Sequence, residues 1–352
     1  MAPTSEETRG VDPVFLATAV EAVVRAGDIH RSKFRSGVRI DKKGAIDLVT
    51  EVDVEVERTF RAMIAERFPD HQVLAEEMGG STAPTRFRWV FDPLDGTTNY
   101  AHGLPIFCAS LALEIDGEAA VAAVYDATRQ ELFTAERGVG AWLNGEPLGV
   151  SATAEILEAL LVTGFPYDVQ ENPEPYLRTF GAFLSRARAV RRLGSAAIDL
   201  CYVAAGRMDG FWEAKLKPWD TCAGALIVQE AGGRVTGIDG QPWNPANGHV
   251  LASNGLLHPA MLEILAGAGP SGLWMKYLPP EPPRQSSGGG AAPSSRAHRD
   301  ASRCRASRPE SGFRCGAHAR CTFPEIPLHR QRHPQLHDSP PPAGPPAPQP
   351  SG

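Results

Sequence analysis

Apolar residues recur at helical spacing in two stretches near the N-terminus. Leu16, Val20, Val23 and Val24 follow Asp12-Pro13, an N-cap with proline at the first helical position, and predict a helix to about Phe34. Val52, Val56, Phe60, Met63 and Ile64 share one helical face after Thr50, and Phe68-Pro69 ends that helix. The pattern then shortens to strand-like apolar runs at 73–74, 88–91, 108–115, 119–125 and 131–134, and Asn144-Gly145 signals a hairpin turn. Beyond Ser151 strands and helices alternate. Strands fall at 160–163, 189–192, 208–213 and 250–253, with helices at 173–188, from Gly194-Ser195 to Gly206, and at 257–265. A further helix is capped by Asp220 and stopped by Gly232-Gly233. Mixed sheets covered by helices are the economical architecture for this order.

Composition narrows the class. The chain has 352 residues, 42 % hydrophobic and 22 % charged, which suits a soluble globular protein with ample core. A net charge of −6 offers no basic footprint, so no nucleic-acid partner is expected. No apolar run approaches the roughly 20 residues needed to span a bilayer, and the polar residues 1–10 lack the order of a signal peptide. The expected location is therefore the cytoplasm. The averages hide a division: from Pro279 onward there are ten Arg, no Lys and five acidic residues, so this end carries +5 and the rest −11. Seventeen of 31 prolines lie at or beyond Pro270, and no periodic apolar stretch survives there. Such a segment cannot bury enough surface to offset its ordering entropy. The expected organisation is a flexible 1–10, a folded 11–277 and a disordered tail, 278–352. Cys108, Cys201 and Cys222 sit in apolar segments of the body, while Cys304, Cys315 and Cys321 lie in the tail without zinc-module spacing.

Chemistry concentrates in Phe91-Asp92-Pro93-Leu94-Asp95-Gly96-Thr97-Thr98-Asn99, at the end of a strand. Pro93 fixes φ, so the chain turns tightly and the two carboxylates can converge. Gly96 lets the backbone approach a ligand, and Thr97-Thr98 can open a helix whose free N–H groups suit an anion. Carboxylates beside a phosphate cradle make electrostatic sense only with divalent cations between them, an arrangement that Mg²⁺ favours. Alone, Asp92 and Asp95 also suit ordinary turn formation. Glu76-Glu77 at another strand end and Asp220 in Lys217-Pro-Trp-Asp220 add acids at two further junctions. Together these meet the needs of two-metal phosphoryl transfer.

Asp92-Pro-Leu-Asp-Gly-Thr-Thr-Asn99, with Glu76-Glu77 upstream and Trp219-Asp220-Thr-Cys-Ala-Gly224 downstream, resembles the inositol monophosphatase family. The resemblance extends over Asp47-Leu-Val-Thr-Glu-Val-Asp53, Gly164-Phe-Pro-Tyr167, Gly194-Ser-Ala-Ala-Ile-Asp199 and Glu230-Ala-Gly-Gly233, spanning about residues 12–268. It implies an α/β fold of the α-β-α-β-α layered-sandwich type. It also implies a homodimer that hydrolyses phosphate monoesters with two or three Mg²⁺ per site and is sensitive to lithium. One metal would be held by Glu76, Asp92 and the Leu94 carbonyl, a second by Asp92, Asp95 and Asp220, and a weaker third near Glu76. Glu76 and Thr97 would orient water, and Asp47 would accept the Thr97 hydroxyl proton. Gly96 and Thr97 would hold phosphate oxygens through their N–H groups. Asp95, Gly194, Ser195, Ala196 and Glu213 would meet substrate hydroxyls. Lys42 falls where the family carries a mobile basic residue, and His102 reads as a structural loop histidine.

The expected activity is inositol-1-monophosphatase. Histidinol phosphate, fructose 1,6-bisphosphate, NADP and nucleotide 3′-phosphates are alternatives within the superfamily. A non-catalytic partner of the transcription machinery is the alternative of a different class.

Overall fold

A computed structural model describes residues 11–42 and 48–268 of the chain. The expectations for residues 1–10, for Asp47 and for everything beyond Ala268, the tail included, lie outside the described residues.

Helix α1 (Pro13–Lys33) starts where Asp12 accepts from the Val14 N–H, as the Asp-Pro pair predicts. A short antiparallel pair, β1 (Ile40–Lys42) and β2 (Leu48–Thr50), leads into α2 (Glu51–Arg67). That helix opens with a capping box between Thr50 and Asp53.

The first main sheet follows: β3 (Gln72–Ala75), β4 (Phe87–Asp95), β5 (Cys108–Ile115), β6 (Glu118–Asp126), β7 (Glu131–Glu136), β8 (Gly140–Leu143) and β9 (Glu146–Pro147). These seven strands lie side by side in chain order, and only the β3–β4 pair is parallel. Helix α3 (Thr97–Ala101) sits between β4 and β5. The second sheet, in spatial order β11-β10-β12-β14-β13, comprises β10 (Leu160–Thr163), β11 (Ala189–Arg191), β12 (Gly210–Ala214), β13 (Arg234–Thr236) and β14 (His249–Ser253). Its helices are α4 (Glu174–Leu184), α5 (Ala196–Ala204), α6 (Pro218–Glu230) and α7 (His258–Ala268).

Period-2 alternation builds the layers, because successive side chains of a strand face opposite ways. In β4, Trp89 and Phe91 pack against α1 and α2 with Val23, Val56 and Phe60. Val90 faces the other way and joins Cys108, Ala112 and Phe133 against α5 and α6. The same two helices receive Val162, Phe211 and Val250 from the second sheet. The outer face of that sheet packs Trp212 and Leu251 against Phe183 of α4 and Met261 of α7. Helices, sheet, helices, sheet, helices is the α-β-α-β-α α/β order expected. Among the described residues no helix is long and apolar enough to cross a membrane.

Two expectations need correction. The helix expected to reach residue 188 ends at Leu184, because the Arg188 and Ala189 N–H groups both turn to the Ala159 carbonyl at the start of β11. Asp220 is not an N-cap; it occupies the third position of α6 and its carboxylate reaches back to the Lys217 N–H at 2.6 Å.

Candidate active site

Strand β4 carries its pairing with β5 as far as Asp92, opposite Ser110, then bulges and re-registers at Asp95, opposite Cys108. Asp92 is buried and accepts the Leu94 N–H on Oδ1 at 2.9 Å. The next residue, Gly96, has φ +96°, and a Cβ there would lie 2.8 Å from the Ile106 carbonyl oxygen. Only glycine fits, and the chain can then enter α3. Asn99 in α3 donates to the carbonyls of Ile106 and Leu193, both at 2.9 Å, tying this loop to the start of α5. The motif contained Asn99, but its anchoring part was not foreseen.

Asp95 accepts from the Ser195 hydroxyl at 2.6 Å and the Ala197 N–H at 2.7 Å, both on Oδ2. Burial nevertheless pushes its carboxyl up to about 6, with the Ser195 bond opposing the rise. Ser195 is itself buried and caps α5, so its hydroxyl is committed to the fold. Asp220 is raised well above the carboxylate range by burial and by Asp95. Asp92 is likewise raised well above that range, first by burial, then by Glu76, Asp95 and Asp220. The four acids predicted at three junctions therefore face one another electrostatically.

Glu76 follows β3 in a turn held from below. The fully buried Glu57 of α2 accepts the Glu77 N–H at 2.7 Å and the Met78 N–H at 3.0 Å, while Arg61 pairs with it at 2.8 Å. Glu57 was not singled out in the sequence; its polar character on an apolar helical face was the available signal.

Thr97 supplies the main difference from expectation. Its hydroxyl lies 3.1 Å from Asp53 Oδ1 and 2.9 Å from the Leu94 carbonyl, two acceptors for one proton. Asp47 lies outside the described residues, and among those described the carboxylate at Thr97 is that of Asp53. Asp53 has no exposed surface, and its other oxygen accepts the Thr50 N–H and hydroxyl. Burial pushes its carboxyl up to about 6 against those hydrogen bonds.

Glu213 lies across the pocket on β12, buried against Gly164, where a Cβ would fall 2.1 Å from its carboxylate. Burial lifts it to about 8, with Arg192 opposing. Ala196 is buried in the first turn of α5, and Gly194 precedes it with φ +90°. Lys42 is exposed at the end of β1, and His102 is an exposed C-cap of α3, as a loop histidine should be.

The donor set fits a divalent hard cation. Buried carboxylates that disfavour each other's charge gain their ionised form once a dication shares the pocket. Among the described residues no three His, Cys, Asp or Glu side chains already stand in one metal-holding group, and Asp92, Asp95 and Asp220 each accept a backbone N–H. Those bonds use Oδ1 of Asp92 and Oδ2 of Asp220, so each retains a second oxygen for a cation.

Known proteins share this fold and sequence. The chain is 44 % identical over 254 residues to an inositol-1-monophosphatase of Synechocystis sp., covering 72 % of this chain and 88 % of the relative. It is also 44 % identical over 260 residues to the Nus factor SuhB of Pseudomonas aeruginosa, covering 71 % and 95 %. A solved inositol monophosphatase from Anabaena matches with a TM-score of 0.67 at 40 % identity, over 74 % of this chain and 98 % of that one. A solved IMPase/NADP phosphatase complexed with Mg²⁺ and phosphate matches with a TM-score of 0.60 at 25 % identity, over 68 % and 90 %. The inositol monophosphatase family model matches residues 13–268, the same stretch that carries both sheets and every acid of the pocket, and the chain belongs to that family.

Proposed function

We propose that this protein is a Mg²⁺-dependent phosphate monoester hydrolase acting on a polyol phosphate, with inositol 1-phosphate as the leading substrate. The observation that carries the reading is Asp92, a buried carboxylate disfavoured by Glu76, Asp95 and Asp220 together. An enzyme that binds no cation has no use for four acids facing one pocket.

Glu76, Asp92, Asp95, Asp220 and the Leu94 carbonyl would hold the cations. Bound Mg²⁺ would supply Lewis acidity, making water a better nucleophile and relieving charge on the departing oxygen. Were the Leu94 carbonyl to hold a cation, the Thr97 hydroxyl would donate its hydrogen bond to Asp53 alone, leaving the Thr97 oxygen free to turn a lone pair towards the attacking water. Asp53 accepts that hydrogen bond because a carboxyl titrating near 6 is largely ionised at neutral pH. Glu76 orients the same water. The N–H groups of Gly96 and Thr97 take phosphate oxygens as charge redistributes. Asp95 with Gly194, Ser195 and Ala196 forms the wall against the alcohol part. Glu213, titrating near 8, is largely protonated at neutral pH and can both donate to and accept from a vicinal diol. A homodimer belongs to the same reading.

Phosphate release from inositol 1-phosphate, histidinol phosphate, fructose 1,6-bisphosphate, NADP and a nucleotide 3′-phosphate, with and without Mg²⁺, tests the proposal. Metal-dependent release, fastest from the inositol ester, is expected. No metal-dependent release from any of them would turn attention to the regulatory role suggested by the SuhB relative.

A further inference from the structure

His30 has no exposed surface, lies on α1 at a distance of 63 residues in sequence from the acidic loop, and has no part in the chemistry outlined above. Its Nε2 lies 2.8 Å from the Pro93 carbonyl oxygen. A carbonyl can only accept, so Nε2 carries the proton. The other ring nitrogen, Nδ1, is buried without a partner, so it holds a bare lone pair and the ring is neutral. Two neighbours, Tyr100 and Phe107, fix the histidine in place. The Tyr100 hydroxyl donates to its carbonyl at 2.9 Å, and the rings of Tyr100 and Phe107 stand edge-on to the imidazole at 6.1 and 5.8 Å.

The peptide between Pro93 and Leu94 is consequently pinned at both ends. Its oxygen accepts from His30, and its N–H donates to Asp92 Oδ1. Hydrogen bonds at opposite ends of one amide polarise it and reinforce each other. The pinned peptide sits between Asp92 and Leu94, two of the groups proposed to hold Mg²⁺. With Oδ1 of Asp92 tied to the Leu94 N–H, the direction of Oδ2 is set. The Leu94 carbonyl begins the next peptide and accepts from the Thr97 hydroxyl, so fixing the peptide before it limits the directions it can take.

We propose that His30 is a positioning residue for the cation site, holding the Pro93–Leu94 peptide so that Asp92 and the Leu94 carbonyl are presented together. This rests on the function proposed above for the acidic pocket. A buried imidazole with one nitrogen unpartnered is unfavourable for the core, where an aliphatic side chain would pack without an orphaned atom. The donor at Nε2 explains its presence. Groups that orient metal ligands typically change metal affinity by about 10–100-fold when removed.

The test is titration calorimetry of Mn²⁺ into the full chain, its His30→Met variant and its His30→Gln variant, with melting temperature in chelator as a control for folding. Met fills the volume without a donor, whereas Gln keeps an N–H that can reach the carbonyl. The expected result is Mn²⁺ affinity about tenfold weaker in His30→Met and within about threefold of the parent in His30→Gln. The Mg²⁺ concentration giving half-maximal hydrolysis should move in parallel, with the substrate KM at saturating Mg²⁺ unchanged. A folded His30→Met protein binding Mn²⁺ as the parent does would overturn the inference. So would a folded His30→Gln protein binding Mn²⁺ about tenfold or more weakly than the parent, a comparison that stands even if His30→Met fails to fold. A parent that binds no Mn²⁺ would instead strike at the proposed function itself.

Discussion

The Thr97 hydroxyl lies 3.1 Å from the Asp53 carboxylate, joining the first turn of α3 to the first turn of α2. Both residues are buried, and Asp53 is also committed to Thr50 through its other oxygen. The carboxylate proposed to accept the Thr97 hydrogen bond is thus held rigidly by a helix cap. An amide at position 53 can keep the cap geometry but cannot serve as an anionic acceptor. Asp53→Asn should lower kcat about a hundredfold, within the range usual for proton-handling groups. KM and Mg²⁺ affinity should change little. Steady-state kinetics with a metal titration checks this, and parent-like kcat would remove Asp53 from the mechanism.

Asp92→Asn removes the acid that all three of its neighbours disfavour. Turnover should fall below detection, because an anionic oxygen that would hold the cations is lost. Without metal the same change relieves like-charge repulsion, so the melting temperature in chelator should rise above that of the parent. The added stabilisation by Mg²⁺ should shrink. A variant that is inactive yet keeps the parent's full Mg²⁺-induced melting shift would place the cations elsewhere.

Much of this site was legible because its elements begin and end on short-range signals. Asp12-Pro13 and Thr50 each act within a turn of the chain, and the structure uses both as expected, while Gly96 turns the chain into α3 through its positive φ. The acidic residues at strand ends could be recognised because carboxylates there have few structural uses. The partner of Thr97 was a different matter. The stretch from Asp47 to Asp53 holds two aspartates six residues apart, and nothing local says which one meets a hydroxyl over forty residues away. The Thr50–Asp53 capping box was the available clue, since it turns the start of α2 and its aspartate inward. His30 and Glu57 escaped notice for a related reason: each is a polar side chain among apolar helical neighbours, and its partner comes from another layer of the fold.

Glu57 carries the turn that bears Glu76. It accepts two consecutive backbone N–H groups and an arginine, so replacing one oxygen with an NH2 leaves a part-buried donor without its acceptor, at a cost of about 1 kcal/mol. Glu57→Gln should lower the melting temperature and raise the Mg²⁺ concentration for half-maximal activity several-fold. The substrate KM at saturating Mg²⁺ should stay constant. Thermal melts and a metal titration read both effects, and an unchanged metal requirement would separate the turn from the cation site.

Glu213 ties stability to function with a sign that can be tested. Burial raises its carboxyl to about 8 in the folded protein, from an ordinary value of 4.5. Between those values the folded state binds more protons than the unfolded chain, so this group makes stability fall as pH rises. The loss begins above about 4.5 and is complete once pH passes about 8. Glutamine has the same shape and no charge to bury. The stability of Glu213→Gln relative to the parent should therefore increase steadily from pH 5 to pH 8, reaching a few kcal/mol at most. Glutamine keeps one carbonyl acceptor but has only donors at its other atom, where the protonated carboxyl can also accept, so kcat/KM for a polyol phosphate should fall several-fold. An aryl phosphate without neighbouring hydroxyls should be affected far less. Melting curves of both proteins at matched pH, with kinetics on the two substrates, decide the matter. A difference in melting temperature that stays flat with pH would mean that Glu213 is solvated, and equal losses on both esters would mean that it does not read the diol.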